Sequence, residues 1–192
     1  EIIINQFKDR NCVFHALPYS TRGPIESAWL GVRDLITIDP SESIVFLDND
    51  VLYSFPDNAL IDRTTAFLGY STDTSGSSAY SYVLLNDEHN VIDIREKKRI
   101  SNTFCCGVYG FASLEQFRRV AVKCMEMHQQ ELYLSLLFQA LLEEKQTIYG
   151  IEYPAPILHL GSLTELQTSW SHFAKKQMRV CFDLDNTLVS YP

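Results

Sequence analysis

The sequence predicts an α/β fold: a mixed, mainly parallel sheet with helices on both faces, followed by the first strand of a second α/β domain. Three observations carry this expectation. Ile44-Val45-Phe46-Leu47 is too short for a helix and continuous in apolar, β-branched and aromatic residues, the pattern of a strand buried on both faces. It runs directly into Asp48-Asn49-Asp50, and in open α/β sheets the carboxyl edge of such a strand is where ligands bind. Around it, a strand, a glycine turn, a helix and a strand follow one another as a βαβ unit.

Taken in order, residues 1–11 carry no signal, and Cys12 to Leu17 reads as a short strand. Ser20-Thr21-Arg22-Gly23-Pro24 is a turn that feeds a helix, with proline well placed in its first turn. Ile25, Ala28, Trp29, Val32, Leu35 and Ile36 then recur at helical spacing and form one apolar stripe. Asp39-Pro40-Ser41 ends that segment before the strand at 43–47, and 51–62 has no assignable pattern. Thr64 to Tyr70 reads as a strand and 71–78 as a polar loop. Tyr80 to Leu85 and Val91 to Ile94 are strands joined by Asn86 to Asn90, a hairpin-like connection. A charge run, Arg95-Glu96-Lys97-Lys98-Arg99, precedes a strand from Thr103 to Ala112 that contains Gly107 and Gly110. Two amphipathic helices follow, one with Leu114, Phe117, Val120, Ala121 and Cys124 on its face. The other carries Leu132, Leu136 and Ala140, with Tyr133 and Leu137 beside them. Thr147 to Tyr153 and Ile157 to Leu160 are short strands, and a last helix carries Leu163, Leu166, Trp170 and Phe173. From Met178 the pattern changes: Arg179 to Leu188 is a second apolar strand that runs into an Asp-x-Asp, Asp183 and Asp185, with Thr187 two residues on. Residues 1–175 are therefore read as one domain and 176–192 as the start of another.

Composition narrows the function classes. With 192 residues, 46% of them hydrophobic and 12% aromatic, the chain has material for a packed core. A net charge of -8 disfavours a broad nucleic-acid-binding face, so any bound phosphate must be held by local lysines, backbone amides or a metal. The five cysteines lack C-x-x-C spacing, which points to neither a zinc site nor a disulfide framework and fits a reducing, cytoplasmic setting. No apolar run approaches a membrane span.

The residues leave two readings of Asp48-x-Asp50. It is either a pair of hard oxygen ligands for a divalent cation and its phosphate, or a polar turn after a strand. Likewise 95–99 is either a binding segment or a solvated charge run, and Gly23 either admits a ligand or only makes its turn. The glycine inside the 103–112 strand marks a close approach to the backbone or a bulge.

From Thr21 to about Trp170 the chain resembles the sugar-phosphate nucleotidyltransferase family, and from Met178 it resembles the start of a haloacid-dehalogenase-type phosphatase. The first resemblance implies a Rossmann-like fold of the nucleotide-diphospho-sugar transferase type. It implies that Gly23 and Glu26 lie beside the nucleotide base and that Asp48 holds Mg²⁺ against the nucleotide phosphates. Asp50 either supports that cation or belongs to a surface turn. Glu96 would meet sugar hydroxyls and Lys97 the sugar phosphate, while Gly107 and Tyr109 line the sugar pocket. His159 stands where many members have a second metal-binding aspartate, so it either ligates a metal, contacts the sugar or is structural. The second resemblance implies Asp183 as nucleophile, Asp185 as general acid and base, both near Mg²⁺, and Thr187 on the phosphoryl group.

The expected enzyme is thus a bifunctional nucleotidyltransferase and phosphatase for activated-sugar supply, with a role toward surface or capsular polysaccharide. Its partners are a nucleoside triphosphate and a sugar phosphate, with no nucleic acid polymer and no membrane; self-association into a homo-oligomer is left open. The family's glycine-rich phosphate loop does not occur in this sequence, so the chain is expected to be a fragment that is inactive alone. Two alternatives stand beside this reading. One is a phosphatase with an inactive nucleotidyltransferase-like binding or regulatory domain, and the other is a sugar- or nucleotide-binding protein without activity.

Overall fold

A computed structural model describes residues 14–17, 19–33, 37–52, 64–73, 79–154 and 157–176. Its elements are α1 (Pro24–Arg33), β1 (Ile44–Leu47), β2 (Val51–Leu52), β3 (Ala66–Thr72), β4 (Ser81–Leu85), β5 (Val91–Glu96), β6 (Thr103–Phe111), α2 (Leu114–Met127), α3 (Ser135–Glu143), β7 (Ile148–Glu152), β8 (Leu158–His159) and α4 (Leu163–Lys176).

The strand β6 organises the sheet. One of its edges pairs with β3 from Thr72↔Thr103 to Phe67↔Gly110, interrupted by a bulge. Its other edge is shared by two strands: β4 touches it at Tyr82↔Phe104, and β1 covers it from Leu47↔Val108 to Ile44↔Phe111. Both contacts are antiparallel. The outer strands are β5, antiparallel to β4, and β7, parallel to β3. It follows that β1, β3, β4 and β7 run one way and β5 and β6 against them, a mixed sheet in an α/β fold, as expected.

Alternation along β6 explains its central place. Cys105, Tyr109 and Phe111 enter one core, whereas Phe104, Cys106 and Val108 enter another. A strand buried on both faces needs apolar residues at every position, which is what this stretch has. On the first face lie α1, α2 and α3, through Ile25, Phe117, Val120, Leu137, Phe138 and Leu141. The start of α2 is fixed by Ser113, whose hydroxyl accepts the Gln116 N–H at 3.0 Å, while the Gln116 side chain accepts the Ala112 N–H. The second face packs Phe67, Tyr82, Phe104 and Tyr153 against Val45, Tyr80 and Ile157. Beside it, β2 and β8 form an antiparallel ribbon, and Ser169 of α4 donates to the His159 carbonyl at 3.3 Å.

Several expectations shift. Residues 14–17 are irregular and exposed, not strand; the remainder of that stretch lies outside the described residues. The strand expected at 64–70 begins and ends two residues later, and the charge run starts inside β5. The helix expected to include Leu132 and Tyr133 begins at Ser135. Leu132 is nevertheless fully buried, because its backbone pairs with the turn before α1: Leu132 N donates to Arg22 O, and Ile25 N donates to Leu132 O, both at 3.0 Å. The unassigned stretch after Asp50 begins with β2. Leu35 and Ile36 of the α1 stripe, and the 177–192 segment with Asp183, Asp185 and Thr187, lie outside the described residues.

Phe117 contacts the rings of Phe46 and Phe111 at the centre of the larger core. Urea unfolding of Phe117→Ala is expected to show a loss of about 3–5 kcal/mol, from lost burial and the cavity left behind. Val122→Ala, on the exposed side of the same helix, is expected to stay within about 0.5 kcal/mol of the parent.

Candidate functional site

Between the end of β1 and the start of β4, the residues Cys105, Cys106 and Gly107 of β6 have no strand partner on that edge. A cleft of about 300 Å³ opens there. Its lining includes Asp48, Asp50, Glu96, Lys97, Gly107, Tyr109 and His159, and Pro24 from the start of α1. Seven of the residues singled out in the sequence therefore meet in one place, although they come from four separate segments. A second hollow, bounded by Tyr70, His89, Tyr149 and Glu152 among others, holds none of them.

The floor is set by one contact. Gly107 has φ +86°, and a Cβ built on it would lie 2.7 Å from the Asp48 Oδ2 and 2.8 Å from the Asp48 Cβ. Only glycine satisfies both the backbone and the space. Asp48 N also donates to Gly107 O at 2.9 Å, so the backbone that leaves β1 is anchored to the same residue that makes room for its side chain. Burial pushes the Asp48 carboxyl up to about 7, and the charges of Asp50 and Glu96 act in the same direction. Two other acids thus add to the effect of burial on it.

Glu96 ends β5, and its Oε2 accepts from Ser135 Oγ at 2.9 Å and from Ser81 Oγ. Lys97 follows in a left-handed conformation, φ +52°, with its N–H on Tyr80 O at 3.0 Å. That backbone state costs a non-glycine residue on the order of 1 kcal/mol and aims the side chain away from the strand direction. The ammonium donates to the Tyr133 hydroxyl and lies 4.5 Å from its ring centroid. The Tyr133 hydroxyl in turn donates to Glu131.

At the opposite wall, the β2–β8 ribbon joins Asp50 to His159: Asp50 O accepts the Leu160 N–H at 2.7 Å, and Val51 pairs with His159. The imidazole stacks on Tyr80 at 4.8 Å and leans on Phe104. Its Nε2 is buried with no hydrogen-bond partner among the described residues. Burial pulls its pKa below the ordinary value, against the opposing charges of Glu165 and Asp50. Tyr109 forms the core side of the cleft, its phenol held well above its ordinary pKa chiefly by burial.

Gly23 and Glu26 sit in and just after the turn that leads to Pro24 of the lining. Gly23 has φ +143°, and a Cβ there would meet the Leu132 backbone N at 2.8 Å, so it permits close packing of two chain segments. Glu26 accepts the Arg22 N–H at 2.7 Å and pairs with its guanidinium, closing the turn before α1. The residues that sequence reasoning missed are Ser81, Ser135, Tyr80 and Tyr133. In the sequence Tyr80 and Ser81 fall in a predicted strand and Tyr133 beside a predicted helix face, which marks none of them as a site residue. Asp183, Asp185 and Thr187 lie outside the described residues.

Among the described residues, no three His, Cys, Asp or Glu side chains converge closely enough to hold a metal ion unaided. One or two carboxylates that leave the other positions to substrate oxygens and water suit Mg²⁺, which keeps several waters. The buried Asp48 with Asp50 beside it meets that requirement. No described helix is long and apolar enough to cross a membrane.

No family model and no curated protein matches the chain. Solved structures do. A nucleoside-diphosphate-sugar pyrophosphorylase from Vibrio cholerae RC9 is similar with TM-score 0.66 and 22% identity over 79% of this chain and 66% of that one. An apo UDP-glucose pyrophosphorylase matches with TM-score 0.72 and 13% identity over 91% of this chain and 68% of that one. The inositol-1-phosphate CTP transferase from T. maritima matches with TM-score 0.58 and 18% identity over 78% and 61%. The chain thus spans just under two thirds of the first of these. At such identities the likeness establishes the fold.

The raised carboxyl has a measurable consequence. Below about pH 4 Asp48 is protonated whether folded or not; between about 4 and 7 the unfolded chain gives up the proton that the native state keeps. Its contribution to stability therefore falls as pH rises and is lost above about 7. Asp48→Asn is expected to be more stable than the parent at pH 8, by up to about 4 kcal/mol, and equal to it at pH 4, as read by thermal unfolding without divalent cations.

Proposed function

We propose that the cleft belongs to a nucleotidyltransferase that joins a sugar phosphate to the nucleotidyl part of a nucleoside triphosphate. An oxygen of the sugar phosphate forms the new bond to the α-phosphorus as the bond to pyrophosphate breaks, and the electron pair leaves with pyrophosphate. The observation that carries this reading is the convergence of Asp48, Glu96, Lys97 and Gly107 at one sheet edge. The fold shared with the pyrophosphorylases supports it.

Each residue has a task that its surroundings allow. Lys97 brings the one lysine or arginine charge among the described residues that line the cleft, and it binds the phosphate of the sugar phosphate. Glu96, held in place by two serine hydroxyls, accepts hydrogen bonds from sugar hydroxyls. Gly107 brings backbone up to the ligand, and His159 offers its Nε2, which has no partner among the described residues. Asp48, with Asp50, would hold Mg²⁺. When bound, that ion screens the triphosphate and polarises the α-phosphoryl group. Catalysis by the protein is then largely positioning, because the reacting oxygen and phosphorus need to be held in line. A linked role for Asp183, Asp185 and Thr187 in removing a phosphate, and a place in supplying activated sugars for surface polysaccharide, complete the proposal.

A second reading makes the phosphatase motif the active centre and this domain a binding or regulatory module. What favours it is His159, an imidazole at the cleft wall where a carboxylate would serve a second metal better.

Isothermal titration with nucleoside triphosphates separates the readings. Binding in Mg²⁺ that disappears in EDTA and in Asp48→Asn is the expected result, and no binding in either buffer refutes the transferase. Lys97→Gln is expected to weaken a hexose 1-phosphate about ten- to a hundredfold, the range of a lost charged hydrogen bond.

A further inference from the structure

The cleft holds a cation among acids, yet Lys97 forms no ion pair among the described residues. The ion pairs of the described residues are Arg22–Glu26, Arg95–Asp93, Arg99–Asp73 and the Glu144 pairs with Arg119 and Lys123; Lys97 is in none of them. Two carboxylates act on it electrostatically, Glu96 from its own strand end and Glu131 from the loop before α3. Each is occupied by hydroxyls: Glu96 by Ser81 and Ser135, Glu131 by Tyr133. One oxygen, the Tyr133 hydroxyl, stands between the Lys97 ammonium and Glu131, accepting from the first and donating to the second.

We infer that Tyr133 is a positioning residue that insulates Lys97 from Glu131, keeping its charge available to a phosphate instead of spending it on an internal ion pair. An ammonium has three N–H donors, and a neutral acceptor satisfies one of them without cancelling the charge. A carboxylate in the same place would cancel it, and a phosphate would then have to displace a charged partner. The cation also lies over the phenol ring, 4.5 Å from its centroid, which adds attraction without a counter-charge. Ser81 and Ser135 serve the same end at Glu96. This inference rests on the reading that Lys97 meets the substrate phosphate.

The test uses Tyr133→Phe, Glu131→Gln and the double variant, with titration of a hexose 1-phosphate and NMR of the Lys97 side chain. Removing the hydroxyl lets Lys97 close on Glu131, so Tyr133→Phe is expected to bind the hexose 1-phosphate about five- to tenfold more weakly, the size of one lost neutral hydrogen bond. Adding Glu131→Gln is expected to restore affinity to within about twofold of the parent, since no carboxylate then competes. The Lys97 pKa is expected to rise in Tyr133→Phe and to fall again in the double variant. Unchanged affinity in Tyr133→Phe, or a double variant as weak as the single one, overturns the inference. If the parent binds no hexose 1-phosphate, the substrate reading fails instead. The NMR titration then still decides the insulation: a Lys97 pKa in Tyr133→Phe that does not respond to Glu131→Gln refutes it.

Discussion

Asp48 occupies the space that any side chain at position 107 would need, and the geometry of the cleft descends from that contact. The acid leaves the end of β1, turns across the open edge of β6, and lies against a residue with no Cβ and a left-handed backbone. Were the strand regular there, β1 would continue along β6 until it met β4, and no gap would exist for a ligand. The sheet remains continuous because β3 supports the other edge of β6 through the same region. A floor buried on both faces and a gap in one edge are thus compatible.

The second organising fact is charge. A cleft with Asp48, Asp50 and Glu96 in its lining repels anions until something positive is present, and burial makes the first of these acids reluctant to ionise. The surrounding groups manage this with hydroxyls instead of salt bridges. The serines on Glu96 fix its orientation, and the phenol on Lys97 holds an ammonium in place. Elsewhere in the domain acids are paired outright, as in the Asp73–Arg99 bridge at 2.7 Å, to which the Tyr82 hydroxyl also donates. The contrast between a neutralised structural acid and unneutralised cleft acids separates the two kinds of site.

The parts of this arrangement that were legible in the sequence are those that interrupt a pattern. Asp48 breaks an apolar strand, Gly107 breaks another, and Glu96 and Lys97 end a third. Each is visible because periodicity sets an expectation that the residue violates. Ser81, Ser135 and Tyr133 violate nothing: serines near strand and helix starts are ordinary, and a tyrosine among leucines reads as a helix face. Their importance comes from partners far away in the chain, 36 residues for Tyr133 and Lys97, and 39 for Ser135 and Glu96. The same limit hid the antiparallel seat of β1 on β6, since strand pairing is decided by long-range packing and a buried strand looks alike in either orientation. Gly23 was legible as special, but its close neighbour is Leu132 of the same chain.

The unpaired stretch of β6 has a meaning beyond the ligand. Inside a sheet, a short run of strand with an open edge is a template onto which another chain can add, and proteins blunt such edges with charges, kinks or bulges. Here the blunting is done by Asp48, which takes the Gly107 carbonyl with its own N–H and sets a carboxylate where an intruding strand would lie, and by the left-handed turn of Gly107 itself. The groove is in effect a guarded edge. The geometry that leaves room in the groove for a small molecule is the same geometry that keeps it closed to a β-strand.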